Sequence, residues 1–171
     1  IYMAEINKNK DQEFIIDNLA ELCKEIPRIK VLFAGKGPEQ EKLEEKVEKL
    51  GLEQTVRFLG YRKDTAELYR MADVAVSASR REGLGLNLVE GMASGLPIVA
   101  RDNRGHREIV VSEEEGVLFR DGEEFRKAVL ELYRDPERRE RIGRHNVEAA
   151  KKFSLEKSRK KMAEIYAEYL D

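Results

Sequence analysis

The stretch SRREGLGLNLVEGMASGLPIVAR, Ser79 to Arg101, sets two carboxylates, Glu82 and Glu90, eight positions apart around Gly83 and Gly85. A carboxylate accepts hydrogen bonds at two oxygens, so acceptors held at two depths suit a molecule with hydroxyls at both ends, such as a nucleotide sugar. Gly83 and Gly85 carry no Cβ and let the backbone approach a bound group closely. A helix starting at Leu86 or Asn87 would turn its unpaired N–H groups and its positive end towards a phosphate. On spacing alone the opposite reading stays equally open, with Glu82 simply exposed and Glu90 an ordinary helix former facing solvent.

Other polar and glycine-bearing stretches offer less. LFAGKGPEQ places Gly35, Gly37 and Pro38 directly after an apolar run. It lacks the third glycine of a dinucleotide fingerprint and the Lys-Ser/Thr ending of a phosphate loop. Gly35 and Gly37 are therefore read as tight-turn positions and Pro38 as a first-turn helix residue, which disfavours a phosphate-loop nucleotidase or a dinucleotide enzyme. His106 falls in a loop after a strand, a crevice location, but has no positioned acid partner to make it a base. His145 lies among charged helix residues and is expected at the surface. Two distant histidines and one cysteine do not make a metal site, and no metal is expected. Cys23 sits on the apolar side of a helical segment and reads as a buried thiol. A single cysteine excludes an internal disulfide framework and fits a reducing compartment.

The elements that must position these residues follow from length and hydropathy. A chain of 171 residues, 41% hydrophobic and 39% charged, is enough for one well-buried domain, read as 1–171. Its 32 basic and 34 acidic residues nearly cancel, so no nucleic-acid partner is expected. Short strands are expected at 1–6, 29–34, 56–59, 74–77, 96–100 and 116–119. Helices are expected at 11–25, 39–50, 65–71, 87–94, 123–134, 136–151 and 155–169. The short helix 65–71, with Leu68 and Met71 three apart, is expected to cover a sheet edge. In the last helix Leu155, Met162, Ile165 and Tyr169 form an apolar stripe suited to another surface. Such alternation specifies an α/β fold, a Rossmann-like open, mostly parallel sheet with helices on both faces. The abrupt opening IYMAEI is expected to belong to something longer.

EGLGLNLVE, then GMASGLPIVA, RGHREIV and EEEGVLF, preceded by VLFAGKGP and VRFLGYRKDTAELYRMADV, resemble family 4 of the retaining nucleotide-sugar glycosyltransferases, also called group 1. The terminal FSLEKSRKKMAEIYAEYL is also similar to the helix that ends such proteins. The order and separation of these motifs cover nearly the whole chain. They look like the carboxyl-terminal, donor-binding domain of a GT-B enzyme close to bacterial capsular and exopolysaccharide enzymes.

The resemblance implies roles for matching positions. Glu82 would contact donor sugar hydroxyls, and Lys10 would neutralise the diphosphate; these two are the expected catalytic residues. Glu90 would hold the ribose, backbone N–H groups near Gly85 and Leu86 the diphosphate, and Tyr61 and Arg62 would lie by the base. Glu108 would organise its loop. The family commonly has an arginine five residues before the lysine, where this chain has Glu5. Glu5 is expected to turn aside, with Arg81, Arg62 or Arg101 as a substitute cation.

The implied donor is a nucleoside-diphosphate sugar, a UDP-sugar by family weight, with no separate cofactor. An amino-terminal acceptor domain would be missing, leaving the isolated domain inactive, and the parent would be cytoplasmic and peripheral at the inner face of the membrane. A non-catalytic nucleotide-sugar-binding module and an engineered or structural domain with an inactive site remain alternatives.

Overall fold

A computed structural model describes residues 1–169; Leu170, the last residue of the terminal motif, and Asp171 lie outside the described residues. Six strands, β1 (Tyr2–Met3), β2 (Val31–Ala34), β3 (Val56–Phe58), β4 (Ala75–Ser77), β5 (Ile98–Arg101) and β6 (Gly116–Phe119), alternate with helices. The helices between them are α1 (Gln12–Glu25), α2 (Gln40–Lys49), α3 (Thr65–Arg70), α4 (Leu86–Ala93) and α5 (Arg104–Arg107). Helices α6 (Gly122–Arg134), α7 (Pro136–Ala150) and α8 (Leu155–Ala167) follow the last strand.

The strands pair in parallel as two three-stranded ladders, β1-β2-β3 and β4-β5-β6. The Val76 N–H donates to the Ile1 carbonyl at 2.9 Å and brings β1 beside β4, so the strands run in the order 3-2-1-4-5-6. Ladder pairing in β1 stops at Met3, short of the expected 1–6, although the Ala4 and Ile6 N–H groups still bond Ala34 and Lys36.

Each strand sends alternate residues to two cores, as a pleated backbone requires. Tyr2, Phe33, Val76 and Val99 face one core with α1 and α6, whose Ile15, Leu19, Leu22, Phe125 and Leu132 cover them. Met3, Ala34, Ala75, Ile98 and Ala100 face the other, covered by Leu68 and Tyr69 of α3 and by Leu88 and Met92 of α4. This is the expected open sheet with helices on both faces.

Several expectations need correction. Gly35 and Gly37 serve close packing as well as turning, because a Cβ on either would fall about 2 Å from the Ala4 or Ile6 carbonyl. Pro38 precedes α2 instead of opening it. In α3 the neighbours Leu68 and Tyr69 are buried while Met71 is exposed, so this helix packs into the core beside α4. Cys23 is only partly buried. His145 is also partly buried, and its Nε2 meets the buried Glu115 at 3.1 Å. Helix α8 ends at Ala167, short of the expected 169; none of its residues is buried, and Leu155, Met162 and Ile165 on it and Tyr169 after it are exposed, in keeping with a stripe suited to another surface. Among the described residues no helix is long and apolar enough to cross a membrane.

Candidate functional site

The loops leaving β1 and β4 exit the same, carboxyl edge of neighbouring strands whose connections run in opposite directions. A crevice opens between such loops. Across it the Lys10 ammonium donates to the Glu82 carboxylate, with 21% and 11% of the two side chains exposed.

Short-range contacts hold this pair together. The Asn9 carbonyl accepts from the Arg80 N–H at 2.8 Å, and the Asn9 side-chain amide donates to the Arg81 carbonyl at 3.1 Å. Beneath them the buried Tyr2 hydroxyl donates to the Lys10 carbonyl at 2.7 Å and meets Ser79 Oγ at 2.8 Å. Burial opposes charge on Glu82, but hydrogen bonds from Lys10 and Ser79 and the charge of Lys10 outweigh it and hold its pKa below the ordinary carboxylate value.

Asp11 follows in the left-handed region, φ 52°, and its carboxylate accepts from Arg80 Nε at 3.0 Å and Arg101 Nη2 at 2.9 Å. Arg101 also donates to the Ala78 carbonyl and lies 4.4 Å over the Phe14 ring. Arg62 is paired with Asp64. Of the three expected substitute cations, Arg101 and Arg62 are thus held by carboxylates, while Arg81 is exposed. Glu5 does turn aside: it is exposed and accepts from Asn7 Nδ2 at 2.8 Å.

Helix α4 starts at Leu86, and its N-cap Gly85 is left-handed at φ 75°. Glycine provides no capping side chain; the Leu88 N–H donates to the Gly85 carbonyl at 2.9 Å, and the N–H groups ahead of it have no side-chain cap. A Cβ at Gly85 would be strained and would sit 3.3 Å from His106 Cδ2. One at Gly83 would meet nothing, so the folded backbone demands glycine only at Gly85. Leu86 is exposed. Glu90, one turn further on, keeps an exposed surface, yet partial desolvation raises its carboxyl pKa.

Lys10 thus meets Glu82 between the β1 and β4 loops, and Gly85 and Leu86 open α4 shortly after Glu82 in the chain, with Glu90 one turn into that helix. Tyr61 and Arg62 stand apart, on the exposed loop after β3, which β2 separates from β1.

The loop after β5 contributes residues that the motifs alone did not assign. Asn103 caps α5, its Oδ1 accepting from the His106 N–H at 3.0 Å, and its Nδ2 donates to the Ser79 carbonyl at 2.8 Å. A Cβ on Gly105 would lie 2.5 Å from the Glu82 carbonyl oxygen, so this turn presses on the Glu82 backbone. Glu108, expected to organise the loop, is exposed, and Asn103 and Gly105 do that work. His106 lies in α5 instead of a loop and is fully buried against the Gly85 N-cap of α4, and burial lowers its pKa. The visible signal was Asn103 three residues before His106, an N-cap spacing.

A cavity of about 850 Å³ lies at the other edge of the sheet, where Ile1, Ile29 and Val74 enter β1, β2 and β4. Its lining is mainly aliphatic and lacks the paired acceptors of the crevice.

Residues 1–149 match the family described as glycosyl transferases group 1. EpsD of Bacillus subtilis (strain 168) is 40% identical over the whole of this chain and 45% of its own length. HepE of Anabaena, solved in complex with UDP and glucose, matches with a TM-score of 0.90 at 26% identity, over 98% of this chain and 47% of that one. The C-terminal domain of LpcC, a glycosyl transferase group 1 family protein of Francisella tularensis, matches with a TM-score of 0.78 at 26% identity, over 90% and 85% of the two chains. The chain spans less than half the length of EpsD and of the HepE chain. By the extent of the family match and the likeness to EpsD, this chain belongs to the group 1 glycosyl transferases.

Proposed function

We propose that the chain is the donor-binding, carboxyl-terminal half of a GT-B enzyme that moves a hexosyl group from a nucleoside-diphosphate sugar to an acceptor hydroxyl with retention, in cell-surface polysaccharide synthesis. The observation that carries this is the meeting of Lys10 and Glu82 beside the uncapped amino end of α4. The UDP of HepE and the C-terminal position of the LpcC domain support the donor and the half of the enzyme.

In this reading the diphosphate lies at the N–H groups of Gly85 and Leu86, and Lys10 turns to it from Glu82. Gly83 leaves the turn open to the ligand. Glu82, released, accepts protons from hexose hydroxyls, and Glu90 accepts from the ribose. Tyr61 and Arg62 lie towards the base, which is uracil by preference. The barrier lies in breaking the bond to the diphosphate as positive character grows on the sugar. Lys10 and the helix amides stabilise the departing charge, and Glu82 fixes the face presented to the acceptor. Acceptor binding belongs to an amino-terminal domain, so the domain alone binds donor and turns over little. The whole protein works in the cytoplasm, at the inner face of the membrane.

Calorimetric titration with uridine, guanosine and adenosine diphosphates and their hexose conjugates tests this reading. Binding of at least one diphosphate, with preference for a conjugate, is expected; no binding by any of them would refute it.

A further inference from the structure

We propose that His106 supplies a second positive charge to the diphosphate site, its imidazole taking up a proton at Nε2 when the donor settles at the amino end of α4. This rests on the donor-binding reading above. Lys10 is the cation paired with Glu82 between the β1 and β4 loops, Arg101 beside it is held by Asp11, and Arg81 is exposed at the surface. A diphosphate diester brings two negative charges.

His106 is built for the other charge. Its ring is wholly buried. Nδ1 lies 2.7 Å from the Arg101 carbonyl, which can only accept, and 2.9 Å from Asn103 Nδ2, whose amide already donates to the Ser79 carbonyl; with the Nδ1 proton given to the nearer Arg101 carbonyl, Nε2 carries the lone pair. Nε2 is buried with no hydrogen-bond partner among the described residues. The ring edge faces the N-cap of α4: Cδ2 and Nε2 lie 3.3 and 3.6 Å from the place a Gly85 Cβ would take.

The charged groups that face the ring are Glu82, Lys10 and Arg101. Burial first, then Lys10 and Arg101, keep it neutral, against the Arg101 carbonyl and Glu82. The positive end of α4 also favours the neutral form. A bound diphosphate reverses the sign of that field, and Lys10, drawn to the phosphates, leaves the Glu82 carboxylate facing the ring. One proton passes from solvent to Nε2, and no covalent bond changes.

The test is calorimetry of the whole chain with UDP-glucose near pH 6.5 in two buffers of different ionisation enthalpy, which counts protons taken up. UDP-glucose is the probe because its diphosphate is esterified at both ends, whereas a terminal phosphate itself titrates at about pH 6. Net uptake of up to about one proton is expected, lost in His106→Gln and kept in His145→Gln. Affinity should fall as pH rises through the bound-state pKa, by up to about tenfold per pH unit.

Histidine-selective NMR of His145→Gln, which leaves a single imidazole, should show His106 changing from the Nδ1–H tautomer to the doubly protonated ring on adding UDP-glucose. Binding without proton uptake, or with that ring still neutral, overturns the proposal and leaves the donor reading intact. Failure of UDP-glucose and every other nucleotide to bind overturns both.

Discussion

Lys10 and Glu82, 72 residues apart in the chain, neutralise each other across the crevice between the loops that leave β1 and β4. Each is the other's partner before any ligand arrives. In the donor reading, a diphosphate competes for Lys10 and thereby frees Glu82 for sugar hydroxyls. Sugar recognition is thus coupled to phosphate recognition, and a free hexose meets a carboxylate already engaged.

Lys10→Ala removes the cation and leaves a half-buried carboxylate without its partner. UDP-glucose affinity should fall at least about tenfold, or ~1.4 kcal/mol, while uridine affinity holds. Losing one side of a half-buried pair should also cost about 1 kcal/mol of stability, visible as a melting temperature lowered by about 2–4 °C. Calorimetry and thermal unfolding check these two effects; equal affinity losses for both ligands would remove Lys10 from the phosphate site.

The two acidic residues should respond to pH in opposite senses. The folded-state pKa of Glu82 is depressed, so its contribution is present at neutral pH and lost as pH falls below the ordinary 4.5 through the folded value. The Glu90 pKa is raised, so its ionisation costs stability as pH rises from 4.5 through the folded value. Urea unfolding across this range should show Glu82→Gln destabilised above about pH 5 and converging on wild type in acid. Glu90→Gln should be more stable than wild type at neutral pH and converge on it in acid.

Gly85→Ala forces a side chain into a left-handed N-cap against His106 and should cost about 1–2 kcal/mol. Gly83→Ala meets open space and should change stability by less than about 0.5 kcal/mol. Urea midpoints compare them directly, and equal costs would contradict the geometry of the turn.

Gly105→Ala drives a methyl group towards the Glu82 carbonyl and must shift that loop. The expected result is a reduced preference for UDP-glucose over UDP, with UDP itself bound nearly as well. Titration of the two ligands measures the ratio; an unchanged preference would show that the turn after β5 does not position Glu82.

Much of this was legible from local pattern. The strands showed as short Val- and Ile-rich runs, with Tyr2 and Met3, or Phe33 and Ala34, assigned to opposite cores by pleating alone. Helix α4 was legible because Gly85 and the Gly95–Pro97 stretch bracket its apolar residues. Helix α5 was missed, since four residues carry no period and Asn103 was its only local signal. The burial of Tyr69 over Met71 was hidden too, because a helix of six residues is too short for one i, i+3 pair to fix its inner face. Contacts between distant segments, such as His145 with Glu115 or Gly105 with Glu82, depend on how helices and loops stack after the strands are ordered. No local spacing encodes them.

The most direct test of donor binding at α4 is a backbone-amide NMR titration of the chain with UDP-glucose. The predicted result is a set of shifts centred on Gly85, Leu86 and Lys10, extending to His106. Shifts centred instead on Ile1, Met71 and Tyr133 around the cavity at the opposite edge of the sheet, or no shifts at all, would contradict it.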